Sequence, residues 1–351
     1  ICYKINLNFQ ALFMNIELFE YTLPKEMIAQ HPEGERASSR LLIFDREAGQ
    51  IEHKYFKDIA EYFQSGDVLV LNDSKVLPAR LNAKKETGGN IDILLLEEID
   101  KKRWYCLANG IKRGKDRLAV TVGEVNAVLI RSKTLWIIEF LFDGDAYDII
   151  NEQGKMPLPP YIKREDRNEL DFERYQTVYA KTLGSIAAPT AGFHFTKELL
   201  KEIEMLGVTV CKVTLHIGIG TFLLIKSKDV EDHVMHREYY HIVPDVKAYI
   251  VNAKAQGRRI IACGTSVVRT LETAWASNGD SPLFGHTELF IYPGYRFKIV
   301  DAMITNFHLP RSTPLLLVSA FAGRDGLMRC YRDAIEKAYR FYSYGDAMLI
   351  F

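Results

Sequence analysis

Ile260-Ile261-Ala262-Cys263-Gly264-Thr265-Ser266-Val267-Val268-Arg269-Thr270-Leu271-Glu272 reads as a buried strand, a glycine turn and the start of a helix. A strand that passes through glycine into a helix is the repeating unit of a layered α/β sheet. Ligands of such sheets commonly sit beyond the strand C-termini, where free amides and the helix dipole favour anionic groups. Arg269 and Glu272 are three residues apart and so share a helix face. The pair suits an amino-acid-like ligand, with Arg269 on its carboxylate and Glu272 on its ammonium. A surface ion pair of little worth is the alternative.

The same grammar recurs outward from this stretch. Thr196 caps a helix over Lys197 to Leu206, and Gly207 stands where a C-terminal glycine belongs. The strand Val208 to Leu215 follows and runs into His216-Ile217-Gly218-Ile219-Gly220-Thr221. Its glycines allow close backbone approach to a ligand, although a plain glycine turn reads the same way. Asp245 is placed to cap another helix ending near Gly257, ahead of the strand Arg259 to Cys263.

The N-terminal third differs. From about Asp67 to Ile150 come short β-rich runs: Val68 to Leu71, Ile91 to Leu96, Arg103 to Ala108, Leu118 to Val122, Ala127 to Arg131 and Leu135 to Phe142. Glycines lie between them, which points to a small barrel or sandwich. Met156-Pro157-Leu158-Pro159-Pro160 reads as a stiff linker back to the other body. The expected fold is therefore α/β: a layered main domain over 14–66 and 155–351, discontinuous in sequence, with a β-barrel domain inserted at 67–154. Ile1 to Phe13, ahead of Met14, is expected to be an extension outside the fold.

Composition excludes several classes. Lys plus Arg number 45 and Asp plus Glu number 45, so a coat for polyanions over the whole surface is excluded while a local basic patch is not. The cysteines, Cys2, Cys106, Cys211, Cys263 and Cys330, are scattered and form no CxxC pair. That fits buried thiols in a reducing compartment rather than a disulfide framework. No apolar run approaches ~18 residues, so no membrane span is expected.

Several loops combine titratable and hydrogen-bonding groups. His194 lies in Ala188-Pro189-Thr190-Ala191-Gly192-Phe193-His194, and His308 lies in Thr305-Asn306-Phe307-His308-Leu309-Pro310-Arg311-Ser312-Thr313. Histidine shuttles protons near neutrality, but a single histidine among apolar residues is more often structural. His233, His236 and Glu238 form an H-x-x-H-x-E string that superficially resembles a metal site; hydrogen-bonding histidines around a turn are the stronger reading. Lys101 to Arg117 holds seven basic residues with Trp104 and Tyr105 interleaved, as a phosphate backbone and unstacked bases require, or as a solvated hairpin loop carries. Tyr292, Tyr295 and Arg296 surround a turn whose aromatic faces suit a cationic ligand.

Taken in order, these strings resemble the S-adenosylmethionine:tRNA ribosyltransferase-isomerase family of queuosine biosynthesis. The likeness is carried by Asn72-Asp73-Ser74-Lys75-Val76-Leu77-Pro78-Ala79-Arg80-Leu81, Ala188 to Phe195, Thr214 to Phe222, His233 to Glu238 and Gly264 to Glu272. It continues through Phe290 to Phe297, Thr305 to Thr313 and Tyr344 to Ile350. Two departures stand out. The chain lacks a hydroxyl at Val267, where the family usually has one, and Pro314 replaces a usual leucine.

The resemblance implies ribosyl transfer from S-adenosylmethionine to 7-aminomethyl-7-deazaguanine at the tRNA wobble position, giving epoxyqueuosine and releasing adenine and methionine. It implies no metal or redox cofactor, S-adenosylmethionine being a co-substrate. The protein is expected to be cytoplasmic and monomeric. On this reading His194, His216 and His308 are the acid–base candidates, with Asp73 and Asp301 as carboxylate alternatives. Arg269 and Glu272 would hold the methionine moiety, and Tyr292 and Tyr295 the sulfonium or adenine. Gly218, Gly220, Thr221, Gly264, Thr265, Arg296, Asn306, Arg311, Ser312 and Thr313 complete the expected substrate site. Arg80, Lys112 and Arg113 are candidates for tRNA phosphates. The competing classes are another S-adenosylmethionine-dependent RNA enzyme, such as a methyltransferase, and a non-catalytic RNA-binding module, which the absence of basic excess disfavours.

Overall fold

The computed structural model describes residues 14–164, 168–276 and 282–351, so the segment 1–13 lies outside the described residues. Nine strands form one sheet. Their order is Phe284–Thr287, Glu238–His241, Thr209–Leu215, Val68–Asn72, Ile260–Cys263, Ala302–Asn306, Ala347–Ile350, Arg40–Asp45 and Gln50–Tyr55. The four from Thr209–Leu215 to Ala302–Asn306 run parallel.

Alternate residues of a strand point to opposite faces, and both faces here are covered. Val68 and Val70 pack with Val268 and Leu271 of helix Thr265–Ala274 on one side. Leu69 and Leu71 pack with Leu199 and Ile203 of helix Lys197–Met205 on the other.

That double burial corrects the expected barrel boundary. Val68 to Leu71 reads in sequence as part of the β-rich zone, yet Val68–Asn72 is fully buried in the centre of the main sheet. A short unbroken apolar run is what a parallel strand covered on both faces requires, and turn spacing alone does not separate it from a barrel strand.

The barrel is closed and six-stranded, in the order Leu135–Phe140, Arg103–Asn109, Asn90–Asp100, Arg80–Lys85, Arg117–Val122 and Val125–Ser132. Every pairing is antiparallel. Alternation fills it: Leu81 and Ala83, Ile91, Ile93 and Leu95, then Trp136, Ile138 and Phe140 all join one core. Helix Ala146–Gln153 adds Ala146, Ile149 and Ile150 to that core. Main-sheet strands lie before and after the barrel in sequence, so the α/β body is discontinuous.

The proline-rich stretch is not a free spacer. Met156 is buried in a cluster with Ala29, Tyr175, Phe193 and Tyr344, so the return from the barrel is packed down. Thr196 caps its helix as expected, its Oγ1 accepting from Leu199 N–H at 3.1 Å. Asp245 does not cap. Helix Pro244–Ala255 starts two residues earlier than that cap would place it, with Val243 as the flanking residue and Asp245 in the first turn. Proline suits that first position, and a carboxylate one residue on complements the helix dipole. Cys106, Cys211, Cys263 and Cys330 are free and buried. Among the described residues no helix is long and apolar enough to cross a membrane.

Candidate active site

Two parallel strands end side by side. Ile260–Cys263 passes into Gly264, and Ala302–Asn306 passes into Phe307, His308 and Leu309. Gly264 N–H donates to Ile304 carbonyl at 2.7 Å. At Gly264 φ is +94°, a left-handed conformation that lets the chain leave the strand and enter helix Thr265–Ala274 at once. A second helix, Thr313–Ala322, begins beside it. Ser312 caps it, with Oγ accepting from Leu315 N–H at 3.4 Å, and Pro314 sits in the first turn. No hydrogen bond is lost there, so the replaced leucine has no structural consequence.

Between these helix starts lies a cleft of about 960 Å³, its open mouth included. Of the residues expected at the site, Thr221, Gly264, Thr265, Arg269, Asn306, His308, Ser312 and Thr313 line it together. Ala187, Ile217, Leu289, Ile291 and Leu317 give it an apolar wall. Two helix N-termini opening on one cleft provide free amides and two positive dipole ends, an environment for a carboxylate.

Arg269 does not pair with Glu272. Its Nη1 donates to Glu238 Oε2, its Nε to Leu289 carbonyl at 3.0 Å and its Nη2 to Thr287 carbonyl at 3.4 Å. Burial pushes the guanidinium down to about 10, so it stays charged at neutral pH. Glu238 Oε1 accepts from Gly218 N–H at 2.8 Å. One carboxylate therefore ties the glycine turn to the helix after Gly264. Glu272 is fully buried and faces elsewhere: it accepts from the backbone N–H groups of Lys298, Ile299 and Val300 and from Tyr295 Oη at 3.0 Å. It fixes the loop that precedes strand Ala302–Asn306 and does not line the cleft.

The three histidines separate. His308 lines the cleft, its Nε2 2.8 Å from Thr305 Oγ1, and burial holds its imidazole down to about 3. His194 lies behind the cleft, with Nδ1 2.9 Å from Ser39 Oγ and Nε2 3.2 Å from Asn306 Nδ2. Burial first, then Arg36 and Arg340, push it down to about 3, so it is neutral and fixes Asn306. Asn306 in turn accepts from Thr190 Oγ1 at 3.1 Å. His216 lines a neighbouring cavity instead, and burial lowers its pKa against the pull of Asp73.

The carboxylate alternatives are engaged. Asp73 Oδ1 accepts from Thr214 Oγ1 at 2.6 Å. Asp301 precedes its strand, at the end of the sheet remote from the cleft, and holds Lys254 and Ile260 N–H.

These loops decide the family. A model described as queuosine biosynthesis protein matches residues 16–350. The chain belongs to the queuosine biosynthesis protein family. It is also similar to an S-adenosylmethionine tRNA ribosyltransferase from Thermotoga maritima, solved at 2.00 Å resolution. The two are 37% identical, with a TM-score of 0.55, and the match covers 95% of this chain and 100% of that one.

The remaining expected residues of this queuosine-family chain lie outside the cleft. Tyr292 packs on Phe290, with ring centroids 5.1 Å apart, and Arg296 is exposed. Arg311 reaches Ile225 carbonyl at 3.4 Å and Glu20 at 3.7 Å. Gly220 is a turn glycine whose Cβ would stand 2.9 Å from the His236 ring. Arg80 is held by Asp92 through two hydrogen bonds of 2.8 and 2.9 Å. Lys112 and Arg113 are exposed on the loop between Arg103–Asn109 and Arg117–Val122, which is not a hairpin, because those two strands are not neighbours in the barrel. Trp104 is not interleaved with them as a surface ring; it is 3% exposed in the barrel core.

The H-x-x-H-x-E residues diverge. Glu238 is buried under Arg269, and His233 packs edge-on to Phe290 at 5.0 Å. Among the described residues no three His, Cys, Asp or Glu side chains are grouped to hold a metal ion. Val267 is wholly buried in the core, so a hydroxyl there would not face the cleft; Ser266 does, and its Oγ accepts from Asn72 Nδ2 at 3.2 Å. The main omission of sequence reading is Glu238, singled out only as part of a metal-like string. Its partner Arg269 lies 31 residues away, beyond any local spacing rule.

Proposed function

We propose that this chain transfers the ribosyl part of S-adenosylmethionine to the aminomethyl group of 7-aminomethyl-7-deazaguanine at the tRNA wobble position. The sugar is rearranged to an epoxycyclopentane-diol, giving epoxyqueuosine-tRNA, adenine and methionine. The observation that carries this reading is convergence. Segments 188–191, 217–221, 264–269 and 305–313 contribute to one cleft, in a chain of the queuosine family. The name of the Thermotoga relative supports the same class.

The methionine carboxylate takes the helix N-termini at Thr265 and at Ser312 and Thr313. The nucleoside lies along the apolar wall. The sulfonium acidifies the adjacent ribose C5′ hydrogen, so a base is needed there, and adenine departs best when a ring nitrogen is protonated. The attacking amine has a reference pKa near ~10.4, and a dry site next to the sulfonium lowers it toward the neutral, nucleophilic form. Glu238 and His308 are the carboxylate and the imidazole on the cleft wall. His308, neutral at working pH, serves as a hydrogen-bond partner to substrate, and His194 as a positioning residue for Asn306. S-adenosylmethionine is a co-substrate, and the scheme uses no metal or redox cofactor. The reaction belongs where tRNA matures, in the cytoplasm.

The test is a product assay with S-adenosylmethionine and tRNA bearing the modified base. Free adenine and methionine, with the matching mass gain on the nucleoside, are expected only with that tRNA. S-adenosylhomocysteine and methylated RNA would replace this reading with a methyltransferase.

A further inference from the structure

A second cavity of about 1020 Å³, open side included, lies where the barrel meets the α/β body. Trp104 and Tyr147 line it from the barrel side, and Gly184, His216 and Tyr239 from the body. It abuts the first cleft: Ile217 and Glu238 are walls of both. Its polar groups are incompletely satisfied. Trp104 is 3% exposed, and its Nε1 has no hydrogen-bond partner among the described residues; the same holds for buried His216 Nδ1. Buried polar atoms are normally paired, so an indole N–H and a ring nitrogen left without partners on one cavity call for groups from outside the chain.

The aromatic content points the same way. The His216 and Tyr239 rings are near parallel, 20° apart in plane with centroids 5.7 Å apart, and Tyr239 is 37% exposed. Gly184, at φ +142°, makes room for this arrangement, since a Cβ would stand 2.8 Å from His216 Nε2. Exposed aromatic faces beside orphaned polar atoms suit a planar heteroaromatic base read by stacking and by its ring edge.

We propose that this cavity receives the target base of the RNA, extruded from its stack, so that its amine is directed past Glu238 into the first cleft. The proposal rests on reading that cleft as the S-adenosylmethionine site. Delivery from a separate cavity lets the amine meet the ribose while the base stays clear of the apolar wall that holds adenine.

The test uses the full chain with anticodon stem–loops carrying 7-aminomethyl-7-deazaguanine or an abasic wobble position, with S-adenosylmethionine titrated separately. Tyr239→Ala is expected to weaken binding of the modified stem–loop by roughly 5- to 150-fold, the range for losing one base stack. Binding of the abasic stem–loop and of S-adenosylmethionine should not change, and Tyr239→Phe should match wild type. Unchanged binding of the modified stem–loop, or an equal loss on the abasic one, overturns the proposal. If wild type releases adenine while Tyr239→Ala keeps its RNA affinity, only the base cavity is refuted. If wild type releases none, the reading of the first cleft falls and this proposal with it.

Discussion

Arg269→Met is the most informative perturbation. Arg269 is 6% exposed and Glu238 4%, so neither charge has water to fall back on. Removing the guanidinium leaves a buried carboxylate holding only Gly218 N–H, and breaking a buried pair this way costs about 3–5 kcal/mol. Glu238→Leu should cost about as much, because it strands the guanidinium and frees the Gly218 amide. Independent losses would sum to about 6–10 kcal/mol in the double variant. The structure instead predicts a loss clearly below that sum, because an apolar pair of similar volume replaces the ions and only Gly218 N–H and the Leu289 and Thr287 carbonyls lose partners. Urea unfolding of wild type, both single variants and the double variant gives the cycle directly. A single-variant loss below about 1 kcal/mol, or a double variant as unstable as the sum, refutes the claim that these residues form one buried pair.

Other outcomes follow from the same geometry. His194 has its pKa lowered from 6.5 to about 3, so the unfolded chain binds a proton there that the folded chain refuses. Its contribution is whole above 6.5 and is lost as pH falls toward 3; at about pH 5 the loss is on the order of 2 kcal/mol. Urea midpoints should therefore fall between pH 7 and pH 5, and His194→Gln should flatten that dependence; an unchanged slope would sink this account. Glu272→Gln should destabilise by about 2 kcal/mol through weakened charge-assisted hydrogen bonds, with S-adenosylmethionine affinity intact; a selective loss of that affinity would restore the ammonium-gripping role. Lys112→Glu with Arg113→Glu should weaken tRNA binding and lower its salt slope by roughly one for each phosphate left without a cation, and an unaltered slope would remove this loop from the RNA interface.

How much of this was legible depends on the range of the interaction. The strand–glycine–helix units were readable because one local rule governs each: buried run, positive φ at Gly264, helix start. The barrel was readable from turn spacing, but its boundary was not. Val68 to Leu71 is apolar on both faces, and only the helices that cover it show which sheet it joins. The cleft loops were identifiable, whereas the orientation of their side chains was not. Glu272 satisfies the spacing rule for pairing with Arg269 and is nevertheless claimed by three backbone amides further along the chain. Those amides lie on the loop that leads into strand Ala302–Asn306, and the pairing of that strand with Ile260–Cys263 is a contact no local rule reads.

The histidines show why sequence position in a matching loop is not yet a chemical role. His194, His216 and His308 each sit in a loop of the right type, but desolvation decides what each can do. His194 is enclosed between Ser39 and Asn306 and stays neutral through the working range. His308 faces the cleft, yet burial lowers it so far that an imidazolium there would be disfavoured. On the proposed reaction, a proton donor to the departing adenine is better sought from the substrate side, because the attacking ammonium must itself lose a proton before it can act. Glu238, on the wall shared by the two cavities, offers no free oxygen for that proton, since Arg269 Nη1 holds its Oε2 and Gly218 N–H its Oε1. This makes Glu238→Gln a sharp test. It keeps an oxygen for Gly218 N–H but sets an amide N–H against the Arg269 guanidinium, so breaking the buried pair should cost about 3–5 kcal/mol of stability, and S-adenosylmethionine affinity should fall together with adenine release. A roughly 10²–10⁴-fold loss of adenine release with stability and S-adenosylmethionine affinity intact would instead give Glu238 a proton-transfer role.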